Sequence, residues 1–278
     1  MKKTLMAILS HADDIELKLG GTLLKYHAAG YEIVYVMATN NMSGTADVLM
    51  PDGTHKKLKE TPDLMMKRRK GECDDAAKML GTVPVHLDHP QRHFWDGKKT
   101  VQIGYGSPAP LGISSDIPPI IIAHEDEESV DRVANLIIDK NPECIFTHSV
   151  AQVDVEHFCT SLLVTKAYWK AVEKGLKGSL LYCREHHNNL GDLNCRWETF
   201  VDYTRFLDEK MKLIGMHRCQ MPNAMSPDFA HRILAKRWGT ACACGAAEPF
   251  YWCRRPEKIE ADQPTYGALT LELINNSR

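Results

Sequence analysis

The sequence predicts an α/β protein in which a mostly parallel β-sheet lies between two layers of helices. Short apolar runs typical of buried strands alternate with amphipathic segments of helix length through the first two thirds of the chain. Several helix-like segments end in glycine, which commonly follows the last helical turn. These observations indicate a Rossmann-like three-layer sandwich with a smaller C-terminal lobe.

The elements follow one another as strand and helix from the start of the chain. The strands are expected at 4–10, 32–39, 83–88, 143–148 and 178–184, and the helices at 16–29, 62–80, 127–140 and 155–174. Each helix would carry the chain back across the sheet, as a connection between parallel strands requires. Residues 1–185 are therefore expected to form the core.

Two regions depart from this alternation. The segment from about 89 to 126 is rich in Gly, Pro and Ser and is longer than an ordinary connection, so we expect an insertion beside the active site. After residue 185, short strands and two helices, at roughly 204–219 and 226–242, predict a C-terminal lobe. This lobe, residues 186–278, is expected to complete the pocket within the same domain.

Composition favours a globular protein that acts on small molecules. The 278 residues include 34 basic and 36 acidic side chains, and the net charge of -2 gives no field that would attract nucleic acid or a membrane surface. Nine cysteines without paired spacing are typical of reduced thiols. The apolar run Thr4–Leu9 is shorter than the roughly 7–15 residues of an export signal, so we expect a cytoplasmic protein.

One histidine and three carboxylates cluster directly after the first predicted strand, between Ser10 and Glu16. Such close ionisable groups repel or desolvate one another unless a cation lies among them, and a metal ion is the expected cation. An acidic helix start would explain Asp14. It would not explain the histidine three residues earlier or the Gly20-Gly21 pair.

The stretch SHADDIELKLGGTLLKY closely resembles the first motif of the LmbE/PIG-L family of zinc-dependent N-deacetylases. The usual motif is Ala-His-Pro-Asp-Asp-Glu followed by a glycine pair, and Ala12 stands here in place of the proline. By this resemblance, His11 and Asp14 are zinc ligands and Asp13 is the general base.

The stretch THSVAQVDVEHF is similar to the second motif of that family, His-x-Asp-His. The resemblance makes His157 the third zinc ligand and places Glu156 where the motif has Asp. Asp154 stands where the family usually has a histidine that steadies the oxyanion. Asp154 is therefore a candidate catalytic residue, and it is the main departure from the family pattern.

Further stretches resemble the family in the same order: MATNNMSG, RRKGECDDAAKMLG, HLDHPQRHF, YTRFLDEKMKLIGMHRCQMP and AAEPFYW. The substrate-binding candidates from these stretches are Asn40, Arg69, Arg92, Gln220 and Glu248. His217 is a third catalytic candidate, as the source of a cation that replaces the missing oxyanion histidine.

The resemblance implies a metal-dependent amidohydrolase with one zinc, or another divalent metal, per chain. Two nitrogens and one carboxylate leave a fourth position open for water, as in catalytic zinc sites. Asp13 would act as general base on this zinc-bound water, and the reaction would remove an acetyl group from the amide nitrogen of an N-acetylated amino sugar or glycoside.

Two alternatives stay open at this point. A few relatives use the same metal site to hydrate unsaturated carboxylic acids, and the loss of the oxyanion histidine at Asp154 is compatible with that reaction. A non-catalytic metal-binding or nucleotide-binding module is less well supported, because no G-x-G-x-x-G follows the first strand. The sequence identifies neither the natural substrate nor whether the chain forms a homo-oligomer.

Overall fold

The computed structural model describes residues 2–103, 116–184, 197–221 and 225–253, with side chains left out for 225–229. The strands are β1 (Thr4–Leu9), β2 (Glu32–Thr39), β3 (Ala46–Leu49), β4 (His55–Leu58), β5 (Val85–His89), β6 (His93–Trp95), β7 (Thr100–Gln102), β8 (Cys144–His148), β9 (Ser179–Cys183), β10 (Thr199–Asp202) and β11 (Ala247–Trp252). The helices are α1 (Asp14–Ala28), α2 (Pro62–Met79), α3 (Ile120–Ala123), α4 (Glu127–Lys140), α5 (Val155–Glu173), α6 (Leu207–Ile214) and α7 (Met225–Ala241).

A seven-stranded sheet in the order β10-β11-β9-β8-β1-β2-β5 forms the centre of the fold. The five strands from β9 to β5 are parallel to their neighbours, whereas β11 and β10 pair antiparallel at one edge. The predicted mostly parallel sheet is therefore confirmed. The hairpins β3-β4 and β6-β7 lie outside it as separate two-stranded sheets.

Side chains of β1 alternate between two apolar cores, one on each face of the sheet. Met6 and Ile8 pack with residues of α4 and α5, whereas Leu5, Ala7 and Leu9 pack with residues of α1 and α2. A strand buried on both faces reads as a continuous apolar run, which is the signal seen in the sequence. These two cores and the sheet between them make up the predicted three layers.

The predicted boundaries in the parallel part agree with the structure within about two residues. The C-terminal segment differs more. The predicted helix at 204–219 is a 3-10 turn, Thr204–Phe206, followed by α6, which ends before Gly215. Strands β10 and β11 continue the main sheet.

The insertion at about 89–126 contains the β6-β7 hairpin and α3, and its residues 104–115 lie outside the described part of the chain. Within the described ranges, no helix has both the length and the apolar character needed to cross a bilayer.

The loops that follow β1, β2, β5 and β8 meet at the carboxyl edge of the sheet, because these strands run parallel. Ligands of open α/β sheets bind at this edge. The loops are 10–13, 40–45, 90–92 and 149–154.

Candidate metal centre and active site

A cleft of about 240 Å³ opens at the carboxyl edge of the sheet. Loops from four strands and the start of α5 form its walls, together with one side chain of α2. The lining residues are His11, Asp13, Asp14, Ser43, Gly44, Arg69, Gln91, Arg92, His93, Asp154, Glu156, His157 and Gln220. Eight of the eleven site residues predicted from the sequence are among them.

Three of these side chains point their donor atoms at one place. Nδ1 of His11 lies 3.0 Å from Nε2 of His157 and 3.3 Å from Oδ2 of Asp14. The distance from Nε2 of His157 to Oδ2 of Asp14 is 3.2 Å. Among the described residues, this is the group of His, Cys, Asp and Glu donors that could hold a metal ion.

The turn between β1 and α1 brings His11 and Asp14 together. The amide of His11 donates to Oδ2 of Asp14 (2.8 Å), and the amide of Asp14 donates to the carbonyl of His11 (3.1 Å). Asp13, between them, has a φ of 93°, which costs a residue with a Cβ about 1–2 kcal/mol. Such backbone strain is concentrated at functional sites.

The donor set fits a divalent ion such as zinc. Nitrogen and oxygen ligands held at about 2.0–2.1 Å in a tetrahedral arrangement lie about 3.3 Å from one another. The three measured separations of 3.0, 3.2 and 3.3 Å are close to that value. Two imidazoles and one carboxylate also match the mixed ligands of catalytic zinc sites.

The electrostatics of the centre favour a positive charge. Burial lowers the pKa of His11, but hydrogen bonds and charge from Asp14 and Glu156 outweigh burial and raise it to about 10. For Asp14, burial raises the pKa, and His157, Lys18 and His148 outweigh it, so the pKa falls well below its ordinary value. The carboxylates of Asp14 and Glu156 thus make this centre favourable for a cation.

Glu156 fixes the orientation of the His11 ring. Nε2 of His11 donates to Oε2 of Glu156 at 2.5 Å, and the same oxygen accepts from the Gln91 amide at 2.9 Å. Oε1 accepts from the backbone N–H of Arg92 at 2.6 Å. Burial opposes ionisation of Glu156, but these hydrogen bonds outweigh it and lower the pKa to about 2.

Asp13 lies in the sequence between His11 and Asp14, two of the three converging donors. It lines the cleft, and 15% of its side chain is exposed. Burial and, to a smaller degree, the charge of Asp14 raise its pKa, whereas the Arg69 guanidinium opposes the rise. The shortest separation between Arg69 and Asp13 is 3.7 Å.

The buried Arg69 guanidinium makes its hydrogen bonds to backbone carbonyls of two loops. Arg69 is 5% exposed, and its guanidinium donates to the carbonyls of Ala12 (2.6 Å) and Ser43 (3.5 Å). It therefore ties the loop after β1 to the loop after β2. Arg69, a substrate-binding candidate from the sequence, therefore also makes a buried structural contact.

Asp154 is the N-cap of α5. Its Oδ1 accepts from the backbone N–H groups of Glu156 (2.9 Å) and His157 (3.3 Å). The residue is exposed and lines the cleft. Asp154 thus positions the helix turn that carries His157, which is a role that sequence comparison with the motif does not reveal.

Three predicted site residues lie outside the cleft. Oδ1 of Asn40 accepts from the backbone N–H of Met42 at 3.2 Å, and Asn40 is 6% exposed. His217 is fully buried, with Nε2 2.9 Å from Oε2 of Glu16. Neither side chain is among the residues that line the cleft, and the charge of His217 acts on Asp13, which does line it.

Glu248 belongs to a different buried cluster. It accepts from Lys210 Nζ (2.6 Å), from Thr22 Oγ1 (2.5 Å) and from the backbone N–H groups of Gly21 and Thr22 (3.0 and 2.7 Å). Glu248 is 3% exposed and joins α1 to α6 and β11. Glu248, a substrate-binding candidate from the sequence, forms this buried ion pair with Lys210 and does not line the cleft.

Sequence reasoning missed the role of His148 at the end of β8. Its Nε2 accepts from the backbone N–H of Ser10 (2.8 Å), so that lone pair is not free for a metal ion. The ring stacks on His157 with centroids 3.9 Å apart and an angle of 12°. The only sequence signal was a histidine at the carboxyl end of a predicted strand.

Comparison with known proteins agrees with this geometry. The sequence model of the PIG-L family, described as GlcNAc-PI de-N-acetylase, matches residues 6–168. A 1D-myo-inositol 2-acetamido-2-deoxy-alpha-D-glucopyranoside deacetylase from Catenulispora acidiphila is 27% identical over 146 residues, which are 52% of this chain and 44% of the relative. The alignment therefore spans less than half of that relative.

Solved structures share the fold. N,N'-diacetylchitobiose deacetylase from Pyrococcus horikoshii has a TM-score of 0.64 at 18% identity, over 96% of this chain and 88% of that protein. The 4-carboxy-2-hydroxymuconate hydratase from Pseudomonas putida has a TM-score of 0.65, also at 18% identity, over 93% of this chain and 100% of that protein. The family match covers more than half of the chain and includes His11, Asp14 and His157, so the protein belongs to the PIG-L family.

Proposed function

We propose that this protein is a metal-dependent N-deacetylase that removes the acetyl group from an N-acetylated amino sugar or a related glycoside. One observation carries the proposal: His11, Asp14 and His157 converge in a cleft, and the exposed part of Asp13 lies beside them. Membership of a family of de-N-acetylases supports it.

His11, Asp14 and His157 would hold the ion, and zinc suits this set of two nitrogens and one oxygen. The ion, when bound, supplies a Lewis acid that polarises a carbonyl oxygen and strengthens water as a nucleophile. Glu156 holds His11 in the tautomer that leaves Nδ1 free for the ion.

Asp13 would move the proton. Its carboxylate accepts a proton from the attacking water and returns it to the amine that leaves, so one group acts first as base and then as acid. The Arg69 guanidinium, 3.7 Å away, favours the ionised carboxylate and so opposes the rise in pKa that burial causes. For this role Asp13 needs only to reach a water molecule in the cleft that it lines.

The substrate class follows from the relatives and from the polar cleft. The named relatives are deacetylases of acetylated sugar derivatives. In the cleft, Arg92 offers hydrogen-bond donors, whereas Asp154 and the amide oxygen of Gln220 offer acceptors, because the Gln220 nitrogen donates to Thr45 and Cys219. Such groups suit the hydroxyls of a sugar.

A second candidate is hydration of an unsaturated carboxylic acid. The observation that favours it is Asp154, because an ionised carboxylate at the cleft cannot donate a hydrogen bond to an oxyanion. A hydratase shares the fold. Deacetylation nevertheless fits the family description, and a metal ion alone can polarise the amide carbonyl.

The test is release of acetate from a panel of N-acetyl sugars, run beside loss of alkene absorbance from unsaturated carboxylic acids. We expect acetate release by the metal-loaded protein and its loss in Asp13→Asn. Loss of alkene absorbance without acetate release would establish the hydratase instead. A protein that binds the metal and performs neither reaction would contradict both functions.

A further inference from the structure

The short turn that joins α7 to β11 carries two cysteines, Cys242 and Cys244. Their sulfur atoms lie 3.4 Å apart, in hydrogen-bond contact, and are called the thiol pair below. Both residues are half-buried free thiols. Several other described cysteines are buried, namely Cys73, Cys159, Cys183 and Cys219. The turn therefore presents two neighbouring thiols that a small reagent can reach.

The backbone of the turn holds the thiol pair together. Ala243, between the two cysteines, has a left-handed conformation with a φ of 58°. Glycine is the usual residue in this conformation after the last helical turn, because a Cβ is strained there. The N–H groups of Cys242 and Cys244 both donate to the carbonyl of Gly239, at 3.2 and 2.8 Å. The contact between the sulfurs thus depends on an ordered helix end.

The residues after the thiol pair are fixed as well. The N–H groups of Gly245 and Ala246 donate to Oγ1 of Thr204, at 3.0 and 2.9 Å. Gly239 of α7 lies so close to the turn that a Cβ at this position would meet the carbonyl oxygen of Cys244 at 2.6 Å. The turn is therefore packed tightly against α7 on one side and against the segment after β10 on the other.

The two thiols differ in their surroundings. Burial, followed by the hydrogen bond with Cys242, raises the pKa of the Cys244 thiol to about 11. Cys244 therefore keeps its proton near neutral pH and can donate it to the sulfur of Cys242. An S–H donor stabilises a thiolate that it contacts, so Cys242 is the better nucleophile of the two. As a thiol, Cys242 donates to the carbonyl of Trp238 at 3.3 Å.

We propose that Cys242 and Cys244 form a redox-active dithiol that reacts with low-molecular-weight disulfides of the glutathione type. The Cys242 thiolate attacks one sulfur of the external disulfide, forms a mixed disulfide and displaces the other sulfur as a thiolate. That thiolate takes up the proton that Cys242 lost. Cys244 then loses its proton and attacks the Cys242 sulfur, which displaces the second external thiol and leaves a Cys242–Cys244 disulfide. The dithiol is oxidised by two electrons, and the external disulfide is reduced to two thiols.

The geometry favours a reversible reaction. The sulfurs need to approach only from 3.4 Å to about 2 Å for the bond to form. The ring that closes spans three residues, so the bond restrains the unfolded chain very little. Disulfides that are exposed or strained are the ones that reductants open readily. The thiol pair should therefore cycle between the dithiol and the disulfide.

The test exposes the reduced full chain to oxidised glutathione and then blocks the remaining thiols by alkylation. Mass spectrometry follows the peptide that carries the thiol pair, after cleavage behind Tyr251 has separated it from Cys253. We expect this peptide to lose two hydrogen atoms, to resist alkylation and to regain the dithiol form with dithiothreitol. Its oxidation should be about 10-fold or more faster than mixed-disulfide formation at Cys144 and Cys253, which are also half-buried.

Serine variants assign the two roles. Cys244→Ser keeps the attacking thiol, so a mixed disulfide with glutathione should accumulate at Cys242. Cys242→Ser removes the attacking thiol, so the remaining Cys244 should react about 10-fold or more slowly than the thiol pair. Cys253→Ser is the matched control and should form the Cys242–Cys244 disulfide at an unchanged rate. Circular dichroism checks that each variant is folded.

Two results would overturn the redox-active dithiol: complete alkylation of the thiol pair after exposure to oxidised glutathione, or oxidation no faster than at Cys144 and Cys253. Equally fast mixed-disulfide formation in the two variants of the thiol pair would contradict the role of Cys242 as the attacking thiol. Neither residue of the thiol pair lines the metal cleft, so the inference does not depend on the outcome of the acetate-release test.

Discussion

Nε2 of His11 lies 2.5 Å from Oε2 of Glu156, and this contact determines which nitrogen of His11 faces the metal centre. Because the ionised carboxylate can only accept, Nε2 carries the proton and Nδ1 keeps its lone pair. Nδ1 then lies 3.0 Å from Nε2 of His157. A carboxylate behind a metal-binding histidine commonly orients it in this way.

Glu156→Gln should weaken metal binding about 10–100-fold, the usual cost of losing such an orienting partner. The amide keeps the shape of the side chain but removes its charge from His11. Affinity is measured by competition with a chelator. The control is Glu128→Gln, at an exposed position in the first turn of α4, which should leave the affinity unchanged. An unaltered affinity in Glu156→Gln would show that the contact is structural only.

A comparison of His157→Ala with Asp13→Asn separates metal binding from proton transfer. His157→Ala removes one of three donors, so the protein should no longer retain a stoichiometric metal ion after dialysis. Asp13→Asn should retain the ion and lose about 100–10,000-fold in kcat, the range for a general base. Elemental analysis and acetate release are measured on both. An active Asp13→Asn protein would remove Asp13 from the mechanism.

The parallel core could be predicted from the sequence because its signals are local. A strand such as β1, covered on both faces, must be apolar throughout, and the helices that cover it must be amphipathic. The cluster at His11, Asp13 and Asp14 was equally visible, since all its members follow one strand. His157 was found through its motif rather than through any local pattern.

The remaining contacts depend on distant parts of the chain and leave no local signal. Glu248 meets the middle of α1, at Gly21 and Thr22, only because β11 joins the main sheet, 226 residues beyond Thr22. Arg69 is buried because two loops converge on its guanidinium. The carbonyl of Arg92 accepts from the N–H of Ile103 at the open end of the β6-β7 hairpin, a contact between residues 11 positions apart. Such convergence is a property of the tertiary structure.

Arg69→Lys should destabilise the protein, contrary to the expectation of a pure substrate contact. Lysine keeps the charge but cannot reach the carbonyls of Ala12 and Ser43 together. We expect a loss of about 1.5–3 kcal/mol in the free energy of unfolding, measured by urea denaturation. Arg68→Lys, at the exposed pair with Glu60, should cost less than about 1 kcal/mol. A raised KM with unchanged stability would restore the substrate role.

Lys210→Met should be strongly destabilising. The buried ammonium donates to Oε1 of Glu248 (2.6 Å) and to the carbonyl of Leu17 (3.1 Å). Its removal leaves the Glu248 carboxylate without a counter-charge, which typically costs about 3–5 kcal/mol. The double variant Lys210→Met/Glu248→Gln should recover part of this loss in thermal and urea unfolding. A double variant no more stable than Lys210→Met would argue against charge as the cause.

We expect the stability of the protein to tolerate Asp154→Asn but not Asp154→Ala. As N-cap of α5, its Oδ1 accepts from the backbone N–H groups of Glu156 and His157, and an asparagine oxygen can do the same. Asp154→Asn should therefore be nearly neutral in stability, whereas Asp154→Ala should cost about 1 kcal/mol.

Activity of the same variants tests whether Asp154 does more than cap the helix. Asp154→Asn should keep the metal ion and lose less activity than the about 100–1,000-fold typical of a missing oxyanion donor. Metal content, acetate release and unfolding are measured on the same preparations. Loss of the metal ion in Asp154→Asn would show that Asp154 is a fourth ligand. If the ion is retained and activity falls by more than the roughly 100–1,000-fold typical of a missing oxyanion donor, Asp154 is a catalytic group.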